Sequence, residues 1–426
     1  MPTVSRRLPA RPHLDVPKRE ARELLEACRQ GHADALDRIR RRHPKFKDTP
    51  DDAAITAHFK LSDAQLTIAR EYAFTTWAEL KQRIAAETPA RALRDAIWAD
   101  DRPAAIALLR ANPELLHLPV LSGNWGPPMS HAANLGRLEI VQACAQLGAR
   151  DYQHAFDRAI LQGKLDCARW LHEHGAKLEP GIIMGACETL NAEGIRFLAD
   201  LHAPFTDAHG NRLAPLALAL ETYSRNPAGK HAILELFAAR GYDLPNTPIM
   251  AFHRGDISQL ERHLRRDPHL PDRRFTLREI YPQECGCGAN GNAGMHWTPI
   301  NGGTLLHLAI DFREREIFDW LLAHGADVNA RATTDTDGYG GHTPLFNAVV
   351  CGPWHDLGMT ASLLEHGAAK ETRASLRKFL DWIANPHWHE ARNITAAEWG
   401  RSFPEQKWIN NEALQLLEGA GPTPPA

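Results

Sequence analysis

Amphipathic helical segments stopped by Gly-Ala, or a near variant of it, recur along most of this chain and constrain its fold more than any single residue does. GRLEIVQACAQLGA (136–149), GKLDCARWLHEHGA (163–176) and EREIFDWLLAHGADVN (314–329) can be laid over one another. A lone unit of this kind has no means of burying its own apolar face. Stacking against neighbours supplies the missing core, so the sequence predicts an all-α solenoid of helix pairs.

First helices of successive pairs are read at 91–99, 127–135, 153–161, 180–190, 214–222, 247–255, 304–312, 343–351 and 395–403. They are rich in alanine and glycine, which lets adjacent pairs approach closely. The second helices carry larger residues, among them Trp170, Phe197, Phe237 and Trp320.

Upstream, residues 1–17 hold Pro2, Pro9, Pro12 and Pro17 and read as a disordered leader. A helical extension follows over 18–88. Within it Ser62-x-x-Gln65 and Thr76-x-x-Glu79 mark helix starts, predicting helices near 62–72 and 76–86. Repeats occupy 89–373. The remainder, 374–426, carries Trp382, Trp388, Trp399 and Trp408 and reads as a Trp-rich capping repeat with a short tail, with His387-Trp388-His389 in a loop.

Composition excludes several classes. No apolar run approaches the roughly 18 residues of a membrane span, and the basic N-terminus lacks the apolar stretch of a secretory signal, so a cytoplasmic protein is expected. Seven cysteines, an odd number set mostly inside apolar helical patterns, fit a reducing compartment. A net charge of −3 gives no global pull toward nucleic acid. The one basic cluster, Arg38 to Lys47, offers few phosphate contacts and no interleaved aromatics, which disfavours a nucleic-acid partner.

The residues of 303–331 resemble the ankyrin repeat: Leu306-His307-Leu308-Ala309 matches its helix-opening motif, Leu321-Leu322 its second-helix pair, and Gly325-Ala326-Asp327-Val328-Asn329 its turn. Thr343-Pro344-Leu345 opens the next copy and Leu363-Leu364 with Gly367-Ala368 closes it. Degenerate copies extend the resemblance over roughly 90–420, and the helices of 18–87 are similar to the leader of many bacterial ankyrin proteins. The resemblance implies an ankyrin-like helical repeat solenoid with a helical N-terminal extension and a C-terminal cap, working as a protein-binding scaffold without chemistry of its own.

Departures from the family period suggest where a partner binds. Turn alanines Ala149, Ala176 and Ala203 are spaced 176 − 149 = 27 and 203 − 176 = 27 residues apart, whereas Ala326 and Ala368 are 368 − 326 = 42 apart. Insertions at 271–303 and 330–342 should project on the same side, the concave and finger side, and insertions on one face are often where such proteins bind. Tyr281, His296, Trp297, Tyr339 and His342 are therefore the expected contacts with a protein partner.

The alternative is an enzyme or metal-binding protein with a pocket at 283–303. Cys285-x-Cys287 with His296 supplies three candidate zinc ligands, although a one-residue gap is tight for two ligands on one tetrahedral ion, and thiols packed under a glycine-rich loop is the favoured reading. Gly286, Gly288 and Gly291 satisfy G-x-G-x-x-G but follow no strand, as phosphate binding would need. Asp335 and Asp337 echo a calcium loop, yet Tyr339 and Phe346 stand where oxygen ligands would be wanted. No catalytic residues are assigned.

Overall fold

Helix after helix in the computed structural model stops by one device, and the device explains the recurring dipeptide. Gly325 and Gly367 adopt φ +77° and +85°, a left-handed conformation that costs a glycine little. The next N–H then turns back along the helix: Ala326 donates to the Leu321 carbonyl at 3.0 Å and Ala368 to Leu363 at 2.9 Å. Ala149 and Ala176 close on Cys144 and Leu171 in the same way, each at 3.0 Å. All four alanines are buried, so the position admits nothing larger without displacing a neighbour.

The structure describes residues 6, 8, 14–120, 123–288, 296–352, 356–380 and 386–419, with backbone alone at 85–88. Most of the leader expected at 1–17, Gly291, Trp382 and the last residues of the tail lie outside the described residues. The chain divides into two compact units, 1–155 and 156–426.

In the first unit, helices Asp15–Arg29, Ala33–Arg42, Asp52–His58 and Leu61–Glu71 enclose a core that includes Leu24, Leu36, Ile39, Ile55 and Ile68. Thr76 and Glu79 form the predicted reciprocal cap, but the helix they open runs unbroken from Trp77 to Trp98. The sequence suggested two helices here. Leu80, Ile84, Leu93 and Ile97 are all buried, the first two on the opposite face of the helix from the last two, so packing on both sides of Pro89 outweighs the backbone hydrogen bond the proline removes. In the Arg38 to Lys47 cluster, Arg38 grips Glu71 with Nε and Nη2 at 2.8 and 2.9 Å, Arg40 pairs with Asp52, and Arg41 pairs with Asp37.

The second unit stacks helix pairs, among them Ala214–Glu221 with Pro227–Ala239, Pro248–His253 with Ile257–Arg266, Leu305–Phe312 with Arg315–Ala323, and Pro344–Val349 with Leu357–Glu365. Every residue of Leu305–Phe312 and Pro344–Val349 is buried. His307 ties this stack together. Its Nδ1 accepts from the Thr304 N–H at 3.1 Å, its Nε2 donates to the His342 carbonyl at 3.2 Å, and His342 in turn donates from Nε2 to Pro299 at 2.8 Å.

Near the C-terminus the structure departs from an all-helical cap. Strand β1 (Ala374–Leu380) pairs antiparallel with β2 (His387–Ile394), which places His387-Trp388-His389 in a ladder instead of a loop. Ala374, Leu376 and Leu380 turn inward along β1, a period of two that a helix would break. The chain then returns to helices at Ala396–Ser402 and Asn411–Glu418. Trp399 is fully buried and donates from its indole to Thr298 Oγ1 at 3.1 Å, so this pair covers the preceding one. No described helix is long and apolar enough to cross a membrane.

Candidate functional site

Five side chains were expected to face a partner, and the structure buries all of them. Tyr281, His296 and Trp297 keep 3–5% of their surface, and the polar atoms of Tyr281 and His296 are spent internally. The Tyr281 hydroxyl donates to His296 Nε2 at 2.5 Å, His296 Nδ1 donates to Asp311 Oδ2 at 2.8 Å, and Arg225 Nη2 reaches the same oxygen at 2.8 Å. Arg225 further donates from Nε to the Asp311 carbonyl at 2.8 Å and from Nη1 to Thr222 at 2.9 Å. Its guanidinium lies 4.9 Å from the Phe312 ring centroid and 5.3 Å from that of Trp297.

A second buried group adjoins the first. Lys230 Nζ and His231 Nε2 share the Glu314 carboxylate at 3.3 and 2.9 Å, and His253 donates to the Ile280 carbonyl at 2.9 Å. Together these contacts fasten the 271–303 insertion to helix Leu305–Phe312. Burial lowers the proton affinity of His296 and His253 and raises that of Tyr281, so the chain of hydrogen bonds is held in its neutral tautomers and offers no solvent-facing acid or base. Arg225, Lys230, Asp311 and Glu314 escaped the sequence reading. The one available signal was a carboxylate inside the largely apolar run LLHLAIDF.

Cys285 and Cys287 are buried as well. Desolvation pushes the Cys285 thiol up to about 12 and the Cys287 thiol further still. Their expected zinc partner His296 is committed to Tyr281 and Asp311. Among the described residues no three His, Cys, Asp or Glu side chains come together in a metal-holding group. A 3-10 turn, Gln283–Cys285, precedes Gly286 where a nucleotide loop would need a strand.

Tyr339 and His342 are buried differently, beneath a groove. Asp335 closes its loop on itself, with Oδ1 accepting from the N–H groups of Asp337 and Tyr339 at 2.9 Å each, which leaves turn geometry and not a cation cradle. Gly340 donates to the Ser375 carbonyl at 2.6 Å and fixes that loop against β1. Between them lies a cavity of about 250 Å³ lined by Pro299, Thr333, Tyr339, His342, Leu376 and Trp388. Arg377 pairs with Asp335 and Asp337 at 2.8 Å each and stacks 4.7 Å from the Tyr339 ring, while Arg392 stacks on that ring at 4.1 Å.

Above this base the hairpin shows its aromatic face to solvent. Phe379 and Trp388 stand opposite each other in the ladder with ring centroids 5.3 Å apart, and they remain 40% and 56% exposed. Tryptophan at that exposure is unusual for a residue so firmly based. The structure thus brings Tyr339 and His342 together with Trp388, which sequence reasoning placed among the packing tryptophans, and sets Tyr281, His296 and Trp297 elsewhere in the interior.

Residues 301–333 match the family model of the ankyrin repeat. Among solved structures, the crystal structure of the human ASB11 ankyrin repeat domain is similar at 16% identity, covering 78% of this chain and 99% of that one, with a TM-score of 0.20. No curated protein sequence matches the chain. Ankyrin repeats are in general protein–protein interaction modules.

Proposed function

We propose, taking the chain as an ankyrin-repeat protein, that it binds a partner protein through the groove between the 330–342 loop and the β1–β2 hairpin. The exposed Phe379–Trp388 pair above a pocket floored by Tyr339 carries this reading. Binding energy in interfaces concentrates in aromatic and arginine side chains, and a rigid base lowers the ordering cost of engaging them. Here the base is rigid because Arg377 is held by two carboxylates and two rings.

A photo-crosslinking side chain placed at position 388 in the full chain should capture the partner, which is then made separately for affinity measurement. Trp388→Ala should weaken that affinity by about 2 kcal/mol, roughly thirtyfold, with unfolding unchanged. An affinity indifferent to Trp388→Ala and Phe379→Ala together would remove the site.

A further inference from the structure

Strand β1 has an outer edge that the chain begins to cover and then leaves. Gly340 bridges Ser375 antiparallel, its N–H donating to the Ser375 carbonyl at 2.6 Å, so the main-chain groups of Ser375 point away from β2. Along a strand those groups change sides from one residue to the next. Arg377 and Phe379 therefore present their N–H and C=O on the same outer edge, while Leu376, Lys378 and Leu380 face β2. The ladder agrees with this assignment: Phe379 and Trp388 then form a pair without mutual main-chain bonds, the kind that brings side chains closer, and their ring centroids lie 5.3 Å apart.

The covering loop stops at Ser375 because it turns back on itself. Asp335 donates its N–H to the Tyr339 carbonyl at 2.7 Å, and its carbonyl accepts from the Gly338 N–H at 3.1 Å, which closes a turn in place of a second pair along β1. Open space stands where that pair would be: the cavity of about 250 Å³ adjoins Leu376 and Arg377. Among the described residues no hydrogen bond from another segment reaches the main chain of Arg377 or Phe379 on this side.

We infer that an extended segment of the partner protein adds to β1 along this edge, bonding to the main chain of Arg377 and Phe379 and setting one side chain in the cavity beside Tyr339 and Trp388. The edge selects the conformation of its occupant. It needs a donor and an acceptor at a two-residue spacing, which a strand offers and a helix, whose main-chain groups are spent internally, does not. Pro299, Leu376, Tyr339 and Trp388 on the cavity wall favour an apolar side chain there. The inference rests on the hairpin-groove reading and adds to it the shape in which the partner binds.

Randomised short peptides selected on the immobilised full chain, after depletion on Trp388→Ala, test it when remade with single backbone N-methyl groups. A strand bound by one edge uses its main-chain groups at alternate residues, so N-methylation should cost about tenfold in affinity at every second position and little between. On the protein side Phe379→Ala and Phe379→Pro both remove the ring, but only proline removes the outward N–H, which β2 does not use. Phe379→Pro should bind about tenfold more weakly than Phe379→Ala. Trp388-dependent peptides whose N-methyl scan lacks the two-residue period would overturn strand addition and leave the groove in place. Failure to select such peptides, equal affinity of the two Phe379 variants, or a dimer of the full chain that Phe379→Pro dissociates would overturn it as well. The groove itself is then decided by the crosslinking at position 388.

Discussion

Arg225 Nη2 stands 2.8 Å from Asp311 Oδ2, and the two side chains keep only 1% and 2% of their surface in solvent. They are 86 residues apart in sequence, so the ion pair joins the loop before Pro227–Ala239 to the ankyrin repeat at 301–333. Burial alone would raise the Asp311 carboxyl; His296 and Arg225 beside it hold it below the usual carboxylate range.

Removing one partner leaves the other charged and dry. Arg225→Met and Asp311→Leu should each cost about 3–5 kcal/mol in chemical denaturation, and the double variant should cost clearly less than their sum. Additive losses would mean that the pair is not coupled in the folded chain.

Acid should weaken the fold before the carboxylates titrate. His307 is brought down to about 3, by burial and then by His342, and His342 to about 4, by burial despite its bond to Pro299. An unfolded histidine takes up its proton near pH 6.5, so below that value the unfolded state binds more protons and stability falls with pH. Each of the two should contribute a slope of about 1.4 kcal/mol per pH unit as pH drops from 6.5 toward 4. The His342 slope then levels off while that of His307 continues toward 3. Denaturation midpoints across this window check the slope, and His307→Asn with His342→Asn should flatten it.

Much of the stack was legible because its period is written locally. Gly325-Ala326 and Gly367-Ala368 announce their helix ends in the dipeptide itself, and Thr343-Pro344 announces a start. The site was less legible because its parts are distant in sequence. Tyr281, His296 and Trp297 look like contact residues until Asp311 and Arg225 are brought to them, and only the fold does that. The hairpin was missed for another reason: ASLRKFL and HWHEARNI are short and heavily charged, and only β1 turns its alternate residues inward.

Cysteine chemistry offers a direct check on the 283–303 segment. Cys285, Cys287 and Cys351 are buried, and desolvation lifts the Cys285 and Cys351 thiols to about 12. In the native chain at pH 8 these thiols should resist alkylation, and they should react at once in denaturant. Treatment with a chelator should not change either rate. Rapid native alkylation of Cys285 or Cys287 would mean that the segment opens to solvent.

The helix-stopping turn predicts substitutions of opposite sign. At the end of helix Ala192–Asp200 the left-handed position is held by His202 at φ +59°, and Ala203 still closes on Leu198 at 2.9 Å. A side chain there carries a steric penalty that glycine avoids, and His202 is exposed, so its ring contributes little packing. His202→Gly should therefore stabilise the chain by about 1 kcal/mol. Gly367 is the converse case. Its φ is +85° and an added Cβ would meet nothing within 4 Å, so Gly367→Ala isolates the backbone cost and should destabilise by about 1 kcal/mol. Thermal melts of both variants in one buffer decide the matter: shifts of the same sign would mean that something other than the left-handed turn sets the recurring glycine.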